Sequence, residues 1–452
     1  MSSPVSRPPN SELQAHFSTP DEQKTFSGRR SILFLVLILA ALFVLFTGLF
    51  FSTVPFLFQP APPVAKAGQI DENSSVVLSG KKATPPQIPA DQSLLIEQEQ
   101  GLSLVSAANG DTTALSTPGY IYNPSVRPVL LPSGQLLYSG KGIWLTDIAH
   151  SAPRQIASFP ADQVLTSLVV NDDGSMMAWS TAPAQGKGTV KIYAGPLEHT
   201  ALVYQQSASR CPCFRAFSFL HSTPTQAQPA LLLSDDRGDH DPVYYGMWLL
   251  DLNQGSSAQP RPLLSDQLAQ GPLALSPTSN TLLYAHAEGF VPAPTDDSVP
   301  PELAAQTYAN SLSLIPIQPS SASIGPEQEI VPKQSIHSNS AEYHWITTPR
   351  FSPDGRTLIY VLFSSDSTQP YDRHNALYMV RFPNSSDQHA SSPQLLASSP
   401  SAFIELGPWL NSHLLTFYSD GGIYILDTQN NGVAEVDAAT GGYAHIIAAV
   451  TQ

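Results

Sequence analysis

The chain has 452 residues, of which only 13% are charged while 42 are proline and 27 glycine. That is the composition of a turn-rich, β-rich protein rather than a long-helix one, and its length calls for two ordinary domains or one large repeat array. Beyond residue 52 there are 17 Lys plus Arg against 33 Asp plus Glu (17 − 33 = −16), which excludes nucleic acid and anionic headgroups as partners of this part, since both need a basic footprint.

Residues 1–30 are rich in Ser, Pro and charge without apolar periodicity, so a disordered tail is expected. The run SILFLVLILAALFVLFTGLFF from Ser31 to Phe51 then contains 21 residues and no charge. At about 1.5 Å per residue it is long enough for a roughly 30 Å hydrocarbon core. A transmembrane helix is expected over 31–52. Arg29 and Arg30 precede it and no Lys or Arg follows until Lys66, so the positive-inside bias puts the N-terminus in the cytoplasm and the rest outside. Two processing alternatives stay open. One is a cleavable signal peptide, although the run is long for one and the nearest small-x-small site, Ala65-Lys66-Ala67, lies well past its end. The other is a twin-arginine signal on GRRSIL from Gly28. Residues 53–91, with APP, TPP and IPA, are expected to form a semi-extended stalk.

From residue 92 onward the sequence repeats itself. GLSLVSAANGDTTALSTPGY from Gly101 aligns with GIYILDTQNNGVAEVDAATGGY from Gly422. Between them the same strand-like element recurs from Gly142, Val190, Gly246, Ser311 and Ala376, giving seven copies. A strand-turn-strand unit precedes most copies: VLLPSGQLLYS from Val129, LVVNDDGSMMAWS from Leu168, LALSPTSNTLLYA from Leu273, PRFSPDGRTLIYV from Pro349 and LGPWLNSHLLTFY from Leu406, with a looser version from Phe217. Proline presets the first turn dihedral and Asp-Gly or Ser-Gly reverses the chain. One pair plus the recurring strand plus an outer strand makes a four-stranded antiparallel blade, and repeated blades close into an all-β propeller. Seven blades are expected, with six as the alternative. The seven recurring strands face only six strand pairs, so Gln92–Glu97 and Ala444–Val450 are expected to complete the first blade from both chain ends.

FSPDGRTLIY at Phe351–Tyr360 and LLLSDDRGDHDPVYYGMWLLDL at Leu231–Leu252 resemble the repeats of TolB-type (WD40-like, PD40) propellers. The resemblance extends as an array over residues 93–452, with the first segment the clean match and the PSG, DDG and PTSN turns departing from it. It implies the fold and does not name a partner.

Cys211 and Cys213, in CPCFRAF, are the two cysteines. A bridge over one proline would close a small ring, and no further cysteine or histidine pair completes a metal set, so they are expected to be small apolar core residues. The sequence has no G-x-S-x-G elbow, and no appended hydrolase domain is expected, so peptidase activity is not.

Binding is expected on the loops that join second to third strands and blade to blade, since long loops on a rigid scaffold carry function. The longest are 234–241, with Asp235, Asp236, Asp239, His240 and Asp241; 288–310, with Asp296, Asp297 and Glu302; and 365–375, with Asp366, Asp372, Arg373 and His374. Asp235, Asp239 and Asp241 are hard oxygen donors suited to Ca²⁺, with a solvated acidic turn as the alternative, and no other cofactor is indicated. His344-Trp345 and Trp409 are expected to pack between blades. The resulting functional expectation is a non-catalytic module that binds a protein, a peptide or an envelope glycan while held at the membrane by one helix. The alternative is an extracytoplasmic glycan hydrolase or lyase using channel-facing carboxylates. A sensor relaying through the helix is disfavoured by the short tail.

Overall fold

The computed structural model describes residues 77–78 and 84–451, except 124, 150–151, 211–212, 222–229, 236–245, 265–269, 291–307, 333–341, 367–368, 383–389, 400–402 and 437–443. The apolar run at 31–52 lies outside them, and no helix among the described residues is long and apolar enough to cross a membrane.

A short strand, β1 (Val77–Leu78), precedes the repeats. Blade 1 starts with β2 (Gln92–Gln98), β3 (Gly101–Ser106) and β4 (Thr112–Ala114). Blade 2 is β5 (Val129–Leu130), β6 (Gln135–Ser139), β7 (Ile143–Asp147) and β8 (Arg154–Ala157). Blade 3 is β9 (Gln163–Val170), β10 (Met176–Pro183), β11 (Thr189–Pro196) and β12 (Ala201–Ser207). Blade 4 is β13 (Phe214–Phe219), β14 (Ala230–Asp235), β15 (Met247–Asp251) and β16 (Arg261–Leu264). Blade 5 is β17 (Gln270–Leu275), β18 (Thr281–Phe290) and β19 (Tyr308–Gln318), with β20 (Ser323–Ile324) and β21 (Gln328–Val331) both on the outer edge of β19. Blade 6 is β22 (Glu342–Phe351), β23 (Thr357–Asp366), β24 (Gln369–Arg381) and β25 (Gln394–Ser399), and blade 7 is β26 (Ile404–Trp409), β27 (Leu414–Ser419), β28 (Gly422–Asp427) and β29 (Gly432–Val436). The last strand, β30 (His445–Thr451), returns to blade 1 as its inner strand in the order β30-β2-β3-β4. The seven-bladed expectation holds, as does the blade stitched from both chain ends.

Among the described residues, seven apolar clusters hold the ring, and each joins two adjacent blades. Successive side chains of a strand point to opposite faces. Leu94 and Ile96 of β2 therefore join the cluster shared with blade 7, while Leu95 joins the one shared with blade 2. In β14, Leu231 and Leu233 face blade 3 and Leu232 faces blade 5. Both faces of each blade are buried, which explains why these strands are near-continuous apolar runs instead of alternating ones.

The SPDG turn behaves as its residues dictate. Gly355 has φ +69°, Asp354 Oδ1 accepts from the Ser352 hydroxyl at 2.6 Å and from the Arg356 amide at 3.1 Å, and Ser352 Oγ accepts from the Thr357 amide at 2.9 Å. On the same end of the ring, His221 ties three blades together. Its Nε2–H donates to the Ser276 carbonyl at 2.9 Å and its Nδ1 meets Asp172 at 2.5 Å.

Two expectations need correction. The segment 53–91 is not a stalk throughout. Val77 and Leu78 pair with Ser398 and Ala397 on the outer edge of blade 6, and Ile88 packs against the cluster between blades 7 and 1. Covering an otherwise open strand edge accounts for that docking. Cys213 is not a free apolar thiol either but disulfide-bonded, and the sequence offers one partner, Cys211. The ring-size argument fails at the entry to β13, where the Cys213 amide is pinned by Asp235 Oδ1 at 2.8 Å.

The clusters give a direct test. Phe417→Ala empties a fully buried position between blades 6 and 7, with an expected loss of about 3–5 kcal/mol in urea unfolding. Phe403→Ala, at a residue 52% exposed, should change stability by less than about 0.5 kcal/mol.

Candidate functional site at the end where the inner strands begin

All seven inner strands run the same way around the axis, so one end of the ring gathers their first residues, the second-to-third-strand connections and the blade-to-blade connections. This is the end on which binding was expected from the sequence. Of the expected residues, Asp235, Asp366, Asp372, Arg373 and His374 are among the described ones. Asp235 is the last residue of β14 and is 3% exposed, its carboxylate accepting from Cys213. Asp236, Asp239, His240 and Asp241 lie outside the described residues, as do Asp296, Asp297 and Glu302.

Residues 365–366 and 369–375 are strand rather than loop. β23 and β24 continue as a long hairpin in which Ser364 pairs with His374, Ser365 with Arg373 and Asp366 with Gln369. Its polar sequence suggested a loop, but cross-strand pairing continues the ladder beyond the Phe363–Asn375 pair. Asp366, Asp372 and Arg373 thus occupy strand positions on this hairpin, and His374 is exposed.

Sequence reasoning missed a network at the same end that crosses blades 7, 1 and 2. Glu97, near the end of β2, is 0% exposed. Its Oε2 accepts from Arg127 Nη1 at 2.8 Å and its Oε1 from the Tyr120 hydroxyl at 2.5 Å. The Arg127 guanidinium lies 6.0 Å from the Tyr122 ring centre. Tyr122 Oη meets His445 Nε2 at 3.4 Å, and His445 Nδ1 meets Glu405 Oε1 at 2.9 Å. Tyr120, Tyr122 and Arg127 lie on the connection from β4 to β5. That connection is fixed because the Ile121 amide donates to the Ser139 carbonyl at 3.0 Å and Asn123 Nδ2 donates to the Leu165 carbonyl at 3.1 Å.

Burial, then the hydrogen bond and charge of Glu97, hold the Tyr120 phenol well above the ordinary tyrosine range. Burial works against the charged Arg127, but hydrogen bonds to Glu97 and Tyr122 outweigh it, and the net shift is upward. The chemistry on offer is a buried ion pair beside a carboxylate, imidazole and phenol in hydrogen-bonded sequence. The one sequence signal was Glu97 itself, a carboxylate inside the apolar strand QSLLIEQ. Among the described residues, no group of three or more His, Cys, Asp or Glu could hold a metal ion.

No protein-family model and no curated protein matches the sequence. Solved structures do. An oligogalacturonate lyase in complex with manganese aligns with a TM-score of 0.41 and 11% identity over 75% of this chain and 97% of that one. A putative TolB from Agrobacterium tumefaciens aligns at 0.34 and 14% over 68% and 91%. A puromycin-hydrolyzing peptidase from Mycobacterium tuberculosis aligns at 0.40 and 17% over 61% and 39%. The chain thus spans about two fifths of that peptidase's length. The likeness is one of architecture, and the names describe those proteins' own activities.

Two outcomes test the network. Arg127→Met leaves Glu97 buried and unpaired, and should reduce unfolding free energy by about 2–3 kcal/mol, toward the low side for a broken buried pair because Arg127 is partly exposed. Adding Glu97→Gln should restore much of it. The second concerns alkaline pH. A phenol whose folded pKa lies above its unfolded value contributes stability that is complete below about pH 10 and is lost as pH rises toward the folded value. Tyr120→Phe should therefore make the fall in stability above pH 10 shallower by about 1.4 kcal/mol per pH unit, followed by thermal melts at pH 9 and 11.

Proposed function

We propose that the protein is a membrane-tethered, extracytoplasmic β-propeller that binds a protein, peptide or envelope glycan at the end where its inner strands begin. The observation that carries this is the half-buried network of Glu97, Tyr120, Arg127, Tyr122, His445 and Glu405 at that end. A buried ion pair is a weak stabiliser compared with apolar side chains of the same volume. Its placement beside the β4–β5 connection fits a surface that recognises polar ligands. The tether rests on the uncharged run at 31–52 and the arginines before it. The partner contacts proposed with this surface are the acidic segment after β14, Asp236, Asp239, His240 and Asp241 with the buried Asp235 at its base, and the hairpin residues Asp366, Asp372, Arg373 and His374. A Ca²⁺ ion on Asp235, Asp239 and Asp241 belongs to this reading as a subsidiary proposal.

One observation favours an enzymatic reading beside it. Glu405, His445 and Tyr122 form a carboxylate–imidazole–phenol series in which the carboxylate orients the ring and the ring can exchange a proton with the phenol. In a glycan hydrolase or lyase such a series would serve as the acid–base group.

The test uses the full chain in its membrane. Replacing 236–241 with Gly and Ser of equal length, together with Asp366→Ala and His374→Ala, should abolish partner capture from the envelope while the melting temperature changes little. Capture that persists would overturn the surface assignment. His445→Gln separates the two readings, since turnover lost with binding kept indicates an enzyme. Periplasmic or surface labelling of a cysteine introduced at Ser391, but not of one introduced at Ser3, is expected for the proposed orientation.

A further inference from the structure

The inner strand of blade 6 breaks register between Thr347 and Arg350. Blade 7 breaks at the equivalent place, between Leu406 and Trp409, and blade 5 between Gln270 and Leu273. A proline precedes the last residue in each break: Pro272, Pro349 and Pro408. Gly271 and Gly407 come before two of these prolines, and Thr348 before the third. Thr348 sits at φ +43°, a left-handed conformation that is a genuine outlier for a β-branched residue. Glycine adopts such a φ without the Cβ clash, and blade 7 carries Gly407 at the same position. A strained threonine kept at a bulge points to a use for its hydroxyl.

The polar atoms around this break share one property. Thr347 Oγ1, Thr348 Oγ1 and Trp409 Nε1 are buried and have no hydrogen-bond partner among the described residues. Arg350 is solvent-exposed, yet protein crowds it enough that burial lowers its pKa from the usual value, with the charge of Glu405 opposing. That combination fits a side chain in a lumen walled by protein. Its Nε–H donates to the Leu406 carbonyl of the next inner strand at 3.1 Å. No acceptor among the described residues meets its two terminal nitrogens. Trp409 packs against the apolar cluster between blades 6 and 7 and Arg350 bonds to Leu406, so these two meet on the seam between β22 and β26, with Thr347 and Thr348 just before Arg350 along β22. A guanidinium and an indole N–H can only donate, and a threonine hydroxyl can donate or accept. Unmet buried polar groups in a native structure call for a partner. What this set lacks is an acceptor with several lone pairs and negative charge.

We infer that the seam between β22 and β26 is an oxyanion site. Arg350 supplies the bidentate fork, and Thr347, Thr348 and Trp409 supply flanking donors, for the carboxylate or phosphate group of a small ligand in the channel. The site shares with the network only the charge of Glu405, which reaches Arg350; it does not depend on the membrane tether, and it involves no covalent step.

The full-length protein is titrated with inorganic phosphate and, separately, with glucuronate, at constant ionic strength, by calorimetry and by tryptophan fluorescence. One of the two anions is expected to saturate. Phosphate points to a tetrahedral oxyanion and glucuronate to a planar carboxylate. Arg350→Met should weaken that binding at least about 100-fold, the loss of a charge-assisted bidentate contact. Thr347→Val removes an unbonded hydroxyl without changing shape, so it should fold as well as the wild type and bind about 10-fold more weakly. Arg356→Met, in the SPDG turn, should bind normally. Absence of saturation by either anion would overturn the site, as would unchanged affinity in Thr347→Val. Should Arg350→Met fail to fold, the Thr347→Val result decides alone. Partner capture that fails while an anion binds leaves this site standing and removes only the surface reading.

Discussion

The antiparallel pairing of β30 with β2 is the contact on which the ring depends. It runs from Gln92 opposite Thr451 to Glu97 opposite His445, with one register shift at Leu95/Ile96. Without it, blade 1 would lose its inner strand, and blades 7 and 2 would each lose a neighbour. An open propeller exposes two unpaired blade faces and a free inner edge, the kind of template that aggregates. The closing strand is well suited to its place, since Ala444 and Ile446 enter the cluster with blade 7 while Ile447, Ala448 and Val450 pack toward blade 2. One seven-residue strand thus completes two of the seven interfaces.

That dual duty explains what could be read from sequence and what could not. Blades are local. Each strand pair, turn and recurring strand lies within a few tens of residues, and the turn chemistry is carried by the residues of the turn: Asp354 and Gly355 in SPDG, Asn171 and Asp173 in NDDG. Periodicity and turn residues therefore sufficed for seven blades, and the missing inner strand could be found by counting. The 365–375 segment misled because its side chains are those of a loop. Strand length there is decided by pairing with the opposite strand, a tertiary fact that polar composition does not encode.

The site failed to appear for a different reason. Glu405 and His445 are 40 residues apart, and Tyr122 and His445 are separated by 323. No spacing rule joins residues that meet only because the ring has closed. Long acidic loops drew attention instead, since they are the visible exceptions in a chain with few charges. The better signal was the opposite kind of exception, a charge in an apolar strand such as Glu97, or an arginine or tryptophan after an inner-strand proline, as at Arg350 and Trp409. Each violates the local pattern, and each lies where the fold spends stability on something other than packing.

Closure and recognition are consequently one problem in this molecule. His445 is the first residue of the closing strand, and it pairs across the ladder with Glu97. The strand that seals the ring also presents the imidazole between Tyr122 of the next connection and Glu405 of the preceding blade. A partially open ring would separate all three, so the network exists only in the closed state. Any ligand that binds through the network binds closed protein alone, and by linkage stabilises the closure in proportion to the logarithm of its concentration relative to its dissociation constant. The oxyanion seam, between blades 6 and 7, lies one interface away from that closure. Its donors are set by a bulge inside β22 and by the neighbouring β26, so it is shaped by local strain at Thr348 more than by the meeting of the chain ends. The two sites thus draw on different parts of the same ring: one on how the chain closes, the other on how a single strand bends.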